Sequence, residues 1–193
     1  MSRPLQLQFL ATVVETSALP ETRAEIAFLG RSNVGKSSLL NALAGKKLAA
    51  VSAMPGRTQV LACYGLENGK GTLLDCPGYG YAQVAKKKRQ GWPEMLEHYL
   101  HHRENLAKAL LLLDGEIGPT ESDLYMLAWM RENDVPVALV ATKRDKVKPS
   151  HRDKRMREVA KACAVDPGDV TWVSAEADFG LTNLREQIRE WLA

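Results

Sequence analysis

The run Gly30-Arg31-Ser32-Asn33-Val34-Gly35-Lys36-Ser37 constrains this chain more than any other stretch. It fits GxxxxGK[ST]. It lies between a short apolar run, residues 26–29, and a segment of helical composition, residues 37–44, that stops at Gly45. A strand, a glycine-rich turn and a helix N-terminus in that order make a cradle for phosphate. Gly30 and Gly35 let backbone N–H groups of Arg31, Ser32, Asn33 and Val34 turn inward. Lys36 is the candidate to reach the β- and γ-phosphates, the Ser37 hydroxyl to face Mg²⁺, and Ser38 to join the nucleotide contacts.

The rest of the chain supplies the scaffold such a turn needs. Continuous apolar runs at 109–113 and 137–141 read as buried strands, with a shorter one at 171–173. They alternate with helical patterns. Thr120-Glu121-Ser122-Asp123 reads as a capping box ahead of Leu124 and Leu127. Met156, Val159, Ala160 and Cys163 form one helical stripe, and Leu181, Leu184, Ile188, Trp191 and Leu192 another. Residues 60–66 and 72–74 flank Asn68-Gly69, a hairpin signal, and residues 7–14 suit an edge strand. Residues 46–57 have no clean period. The expected class is α/β, a mostly parallel sheet with one antiparallel strand and helices on both faces.

Composition narrows the class further. In 193 residues, 45% are apolar and 25% charged, with a net charge of +3, the mix of an ordinary globule. No apolar run approaches the ~20 residues of a bilayer span, so no membrane role is expected. Three scattered cysteines, Cys63, Cys76 and Cys163, fit a reducing cytoplasm rather than a disulfide framework. The weak bulk charge limits any nucleic-acid contact to local patches, and no DNA contact is expected.

A phosphate cradle alone does not choose a base. Thr142-Lys143-Arg144-Asp145, after a buried strand, does. A carboxylate at Asp145 accepts from both N1–H and the exocyclic amine of guanine; adenine offers no such donor pair. The Lys143 stem suits covering the base plane. Asp75-Cys76-Pro77-Gly78 fits DxxG, with Asp75 placed for Mg²⁺ and the Gly78 N–H for a γ-phosphate. Arg57 and Thr58 lie in the unperiodic loop, and Thr58 is the candidate to close over Mg²⁺ when a γ-phosphate is present. Ser174-Ala175-Glu176 follows the last strand, where a short loop would meet the base. The expected Mg²⁺ set is Ser37, Thr58 and Asp75; the expected catalytic set is Lys36, Thr58 and Gly78.

These five motifs define a P-loop GTPase, and their details resemble the EngB (YihA/YsxC) family of bacterial ribosome-assembly GTPases. The likeness rests on Gly30 through Asn41 (GRSNVGKSSLLN), Pro55-Gly56-Arg57-Thr58-Gln59, Asp75 through Ala82 (DCPGYGYA) and Thr142-Lys143-Arg144-Asp145. Cys76 departs from the family, which usually has a larger apolar residue there. The resemblance implies a Ras-like domain over residues 25–193 with a six-stranded sheet, preceded by residues 1–24 as an extension or edge strand. It implies GTP and GDP as ligands and the large ribosomal subunit or its precursor as partner, with effects on cell division and septation. The residues also leave open a P-loop enzyme that transfers phosphate to a small molecule.

Two basic clusters suit RNA phosphates. Residues 143–157 hold eight basic side chains against two acidic ones, and Lys86-Lys87-Lys88-Arg89 follows DxxG. Where Ras-like switches place a water-orienting glutamine after DxxG, this chain has Tyr79, so slow turnover is expected. Asn33 is the candidate to hold K⁺ near the phosphates, as in the potassium-activated GTPases that it resembles.

Overall fold

The computed structural model describes residues 3–49, 60–66, 69–79 and 94–193. Strands β1 (Leu7–Val13), β2 (Glu25–Leu29), β3 (Leu61–Leu66), β4 (Thr72–Asp75), β5 (Leu106–Asp114), β6 (Val137–Thr142) and β7 (Val170–Trp172) form one sheet. Its order is β1-β3-β4-β2-β5-β6-β7. Helices α1 (Lys36–Ala44), α2 (Glu94–His102), α3 (Glu121–Glu132), α4 (Arg152–Ala162) and α5 (Leu181–Trp191) complete it.

The sheet has seven strands where six were expected; the seventh is β1, the candidate edge strand. β4, β2, β5, β6 and β7 pair in parallel, while β3 runs antiparallel to both β4 and β1. One strand is thus reversed, as the Asn68-Gly69 signal implied. β1 adds itself to the outer side of β3 through a register shift between Phe9 and Ala11, an irregularity of the kind that blunts an exposed edge.

Every residue of β2 is buried, because both faces of a parallel strand are covered. Ile26 and Phe28 join a core with Leu39 and Leu43 of α1 and Leu184 and Ile188 of α5. Ala27 and Leu29 point the other way, into a core with Leu96 and Tyr99 of α2, Met126 and Met130 of α3, and Val159 of α4. Thr120 caps α3 as its sequence implied: its hydroxyl accepts from the Asp123 N–H, and Asp123 answers to the Thr120 N–H.

Helix α2 was not anticipated. It is locked by a buried carboxylate at the start of β2. Glu25 is fully buried and accepts from Tyr99 Oη at 2.5 Å, Thr72 Oγ1 at 3.1 Å and Arg103 Nε at 3.2 Å. Burial alone would disfavour this charge; the cation and two hydroxyls offset it. At the far end of α1, the buried Arg185 of α5 donates to the Leu43 and Ala42 carbonyls, satisfying C-terminal groups the helix cannot pair itself.

This arrangement fixes where a ligand sits. The parallel strands deliver Gly30, Asp75, Asp114, Thr142 and Ser174 to one edge of the sheet. After β2 the chain moves to β3 and β4 on one side, and then returns to β5 on the other. Ligands bind at the carboxyl edge beside such a switch point.

Candidate nucleotide-binding site

The loop between β2 and α1 is shaped by two left-handed residues. Asn33 has φ 63°, and Gly35 has φ 105° as the N-cap of α1. Asparagine tolerates that region and glycine is at ease in it. The loop leads into α1 at Lys36, so the helix's unpaired N–H groups and positive dipole end face the cradle. Lys36 Nζ donates to the carbonyls of Gly30 at 3.0 Å and Arg31 at 3.4 Å. Its ammonium lies across the mouth of the loop, and burial holds its pKa below the usual lysine value against the pull of Asp75.

Ser37 and Asp75 come together as their motifs required. Ser37 Oγ donates to Asp75 Oδ2 at 3.1 Å. Asp75 Oδ1 is buried and has no hydrogen-bond partner among the described residues. Burial raises the Asp75 pKa above the ordinary carboxylate range, and the opposing influence of Lys36 and Ser37 does not cancel it. A desolvated carboxylate with an orphaned oxygen, beside a hydroxyl and a lysine, suits a small hard cation with oxygen ligands such as Mg²⁺.

The DxxG segment packs directly on the phosphate loop. Arg31 and Tyr79 form a parallel bridge, and the Ser32 N–H donates to the Tyr79 carbonyl at 3.2 Å. A Cβ on Gly78 would lie 2.9 Å from the Ser32 nitrogen and 2.9 Å from its Oγ. Any side chain at Gly78 would therefore wedge the two motifs apart. Tyr79 itself turns into the core, 1% exposed. Its hydroxyl donates to Asp123 Oδ1 at 2.8 Å, and burial next to that carboxylate pushes the phenol well above its usual range. The group that replaces a water-orienting glutamine is thus a core anchor. Cys76 is likewise buried.

On the other side of β2, Thr142 Oγ1 lies 2.7 Å from the Val34 carbonyl and 3.1 Å from that of Leu113. It ties the base-reading segment to the phosphate loop. Lys143 adopts φ 55°, and its ammonium pairs with Asp114 Oδ2 at 2.8 Å. Asp145 Oδ1 accepts from Ser174 Oγ at 2.5 Å, and Ser174 Oγ accepts from the Ala177 N–H at 2.9 Å. Ser174 is fully buried, so its hydroxyl is aimed by the loop and in turn aims Asp145. Ala175 is half-buried. Glu176 is exposed and meets Lys146 at 3.4 Å, while Lys146 also lies 3.7 Å from Asp145. The Arg144 guanidinium stacks 3.6 Å from the Phe179 ring centroid.

Asp114, and Asp123 beyond its part in the capping box, were not expected at the site. Arg31 lies between them, 3.5 Å from Asp114 and 3.8 Å from Asp123. The signal existed for Asp114: it ends an apolar strand, just as Asp75 does. Arg57, Thr58 and the cluster from Lys86 to Arg89 lie outside the described residues.

The fold and the site together define a P-loop GTP-binding domain. A family model described as a 50S ribosome-binding GTPase matches residues 25–143. The chain is 42% identical over 190 residues to a probable GTP-binding protein EngB of Pelotomaculum thermopropionicum, covering 96% of this chain and 94% of the relative. It is 50% identical over 139 residues to a protein of the same description from Thermotoga petrophila, covering 72% and 71%. Among solved structures, a probable GTP-binding protein EngB superposes with a TM-score of 0.65 at 24% identity, over 88% of this chain and 98% of that one. Aquifex aeolicus Era, solved with GDP and AlF4⁻, gives 0.63 at 26% identity, over 88% of this chain and 56% of that one. The chain belongs to the EngB family of GTP-binding proteins.

Proposed function

We propose that this protein is a slow GTP-hydrolysing switch whose output is engagement of the large ribosomal subunit or its precursor, and on which normal cell division and septation depend. The observation that carries the nucleotide half is the meeting, at one sheet edge, of the phosphate loop, the Ser37–Asp75 pair and the Asp145–Ser174 pair. The ribosomal half is supported by the family and by the basic surface of α4.

Residues 25–193 form the nucleotide-binding unit, and residues 1–24 supply an added edge strand. Backbone N–H groups of residues 30–38 surround the phosphates, and Lys36 moves from the loop carbonyls onto them. Ser37 and Thr58 would hold Mg²⁺ directly, with Asp75 behind them, and the ion would supply positive charge against the phosphates. The Gly78 N–H reports the γ-phosphate to the DxxG segment. Thr142, Lys143, Arg144 and Asp145 take the base, with Ser174, Ala175 and Glu176 closing its far side; Arg57, Cys76 and Pro77 complete the nucleotide contacts.

Tyr79 cannot orient the attacking water from the core, so intrinsic turnover is slow. Asn33, exposed and left-handed in the loop, would hold K⁺ by the phosphates, where a cation neutralises developing charge. Single-turnover hydrolysis is therefore faster in KCl than in NaCl of equal ionic strength. Asn33→Ala removes the difference; equal rates in the wild type would remove K⁺ from the account.

Lys148, Lys154 and Arg157 are exposed on and just before α4. Each phosphate contact contributes roughly 0.7–0.9 to the slope of log affinity against log salt. Replacing all three with Gln should make the slope for GTP-dependent co-sedimentation with large-subunit particles shallower by about two to three, with GDP affinity retained. An unchanged slope would return this face to plain solvation.

A further inference from the structure

Two buried carboxylates, Asp114 and Asp123, join half-buried Lys143 and Arg31 in one charge array. Lys143, Asp114, Arg31 and Asp123 alternate in sign, and the Tyr79 hydroxyl ends the chain on Asp123. It joins the base-reading segment, the phosphate loop and the residue after DxxG. Asp114 is its hinge. The two oxygens of Asp114 are divided between tasks. Oδ1 accepts from the N–H groups of Glu116 at 3.0 Å and Ile117 at 3.4 Å, which fixes the carboxylate's rotation. Oδ2 faces the two cations, Lys143 at 2.8 Å and Arg31 at 3.5 Å.

We propose that Asp114 is a positioning residue for base recognition: it tethers the Lys143 ammonium so that the lysine stem is already extended along the base site before the nucleotide arrives.

This rests on the guanine reading of Asp145. A lysine side chain carries about 2 kcal/mol of rotamer entropy. A stem free in solution must be ordered when the base binds, and that ordering subtracts from affinity. A buried carboxylate with only 6% of its side chain exposed holds the ammonium beforehand. The Arg31 link sets the same carboxylate against the phosphate loop, so base cover and phosphate cradle keep one spacing. Asp145 still reads the base edge; Asp114 acts only through Lys143.

Asp114→Asn separates the two tasks. The amide keeps an oxygen for the Glu116 and Ile117 N–H groups and presents an NH₂ to the two cations. In titrations of the full chain with GDP and Mg²⁺, this variant should bind about tenfold more weakly, which is about 1.4 kcal/mol. Lys143→Met keeps a stem and removes the tethered charge, so it should lose about the same factor on its own, at a half-buried position that the fold tolerates. In the Lys143→Met background, Asp114→Asn should then change affinity by less than about twofold, because one tether cannot be lost twice. The ratio of GDP to IDP affinity should stay fixed in all three, since Asp145 is untouched. A full tenfold loss from Asp114→Asn in both backgrounds would mean that it acts through the fold, and would overturn the proposal. So would wild-type affinity in either single variant. A wild-type chain that binds no GDP would overturn the guanine reading itself, and the proposal with it.

Discussion

Asp145→Asn should weaken GDP binding by roughly 30- to 1,000-fold and confer affinity for xanthosine diphosphate. A carboxylate accepting from N1–H and the exocyclic amine makes two charge-assisted bonds, each contributing about 1.5–3 kcal/mol. The amide can accept only one of them and turns its NH₂ on the other donor, so a net loss of about 2–4 kcal/mol is expected. Xanthine has an oxygen where guanine has the amine, and that oxygen accepts from the new NH₂. Ser174 keeps its role, because its hydroxyl at 2.5 Å can donate to the amide oxygen as it does to Asp145 Oδ1. Calorimetric titration with both nucleotides decides the point. A variant that binds GDP as the wild type does would move base reading away from Asp145.

Asp75→Asn is expected to have effects of opposite sign on stability and on function. The folded-state pKa of Asp75 lies above its unfolded value of 3.8, chiefly because of burial. Its contribution to stability is therefore present in full below that unfolded value and is lost as pH rises through the folded one. At neutral pH the ionised group, whose Oδ1 has no partner among the described residues, should destabilise the ligand-free chain. The amide removes that charge while its oxygen still accepts from Ser37. Ligand-free Asp75→Asn should melt above the wild type at pH 7, and the gap should close as pH falls below the carboxylate's titration. The same change should lower Mg²⁺ affinity in the presence of nucleotide by about 10- to 100-fold, the usual cost of losing a group that orients metal ligands. Thermal melts across pH, with and without Mg²⁺ and GDP, report both. A variant less stable than the wild type without ligand would show that Lys36 needs the Asp75 charge more than burial penalises it.

Much of this molecule was legible because its signals are local. The phosphate loop is contiguous, so spacing alone placed Gly30, Gly35, Lys36 and Ser37 at a strand–helix junction. Continuous apolar runs marked β2, β5 and β6, and helical period marked the stripe of α5. The Thr120–Asp123 box announced α3 from four residues. Helix α2 escaped because its polar side, with Glu97, His98, His101 and His102, masks Leu96, Tyr99 and Leu100, and the sequence just before it, Gly91-Trp92-Pro93, holds no Ser, Thr, Asp or Asn. Its anchor, Glu25, is 74 residues away from Tyr99 in sequence, and nothing local marks a carboxylate for burial. The same distance hid the charge array. Asp114 and Lys143 are 29 residues apart, and only the parallel pairing of β5 with β6, which sets Asp114 beside Thr142, brings them together. Tyr79 shows the limit from the other side. Its place after DxxG was plain, but the direction of its side chain depends on Asp123, 44 residues on.

Whether this edge of the sheet takes guanine nucleotides with Mg²⁺ is decided on the wild-type chain. GDP, GTP, ADP and ATP are titrated in turn into the purified protein with Mg²⁺ present. Both guanine nucleotides should bind, and the adenine pair at least about 100-fold more weakly, because adenine would leave the Asp145 carboxylate without its donors. Binding of ADP as tight as that of GDP would contradict this preference.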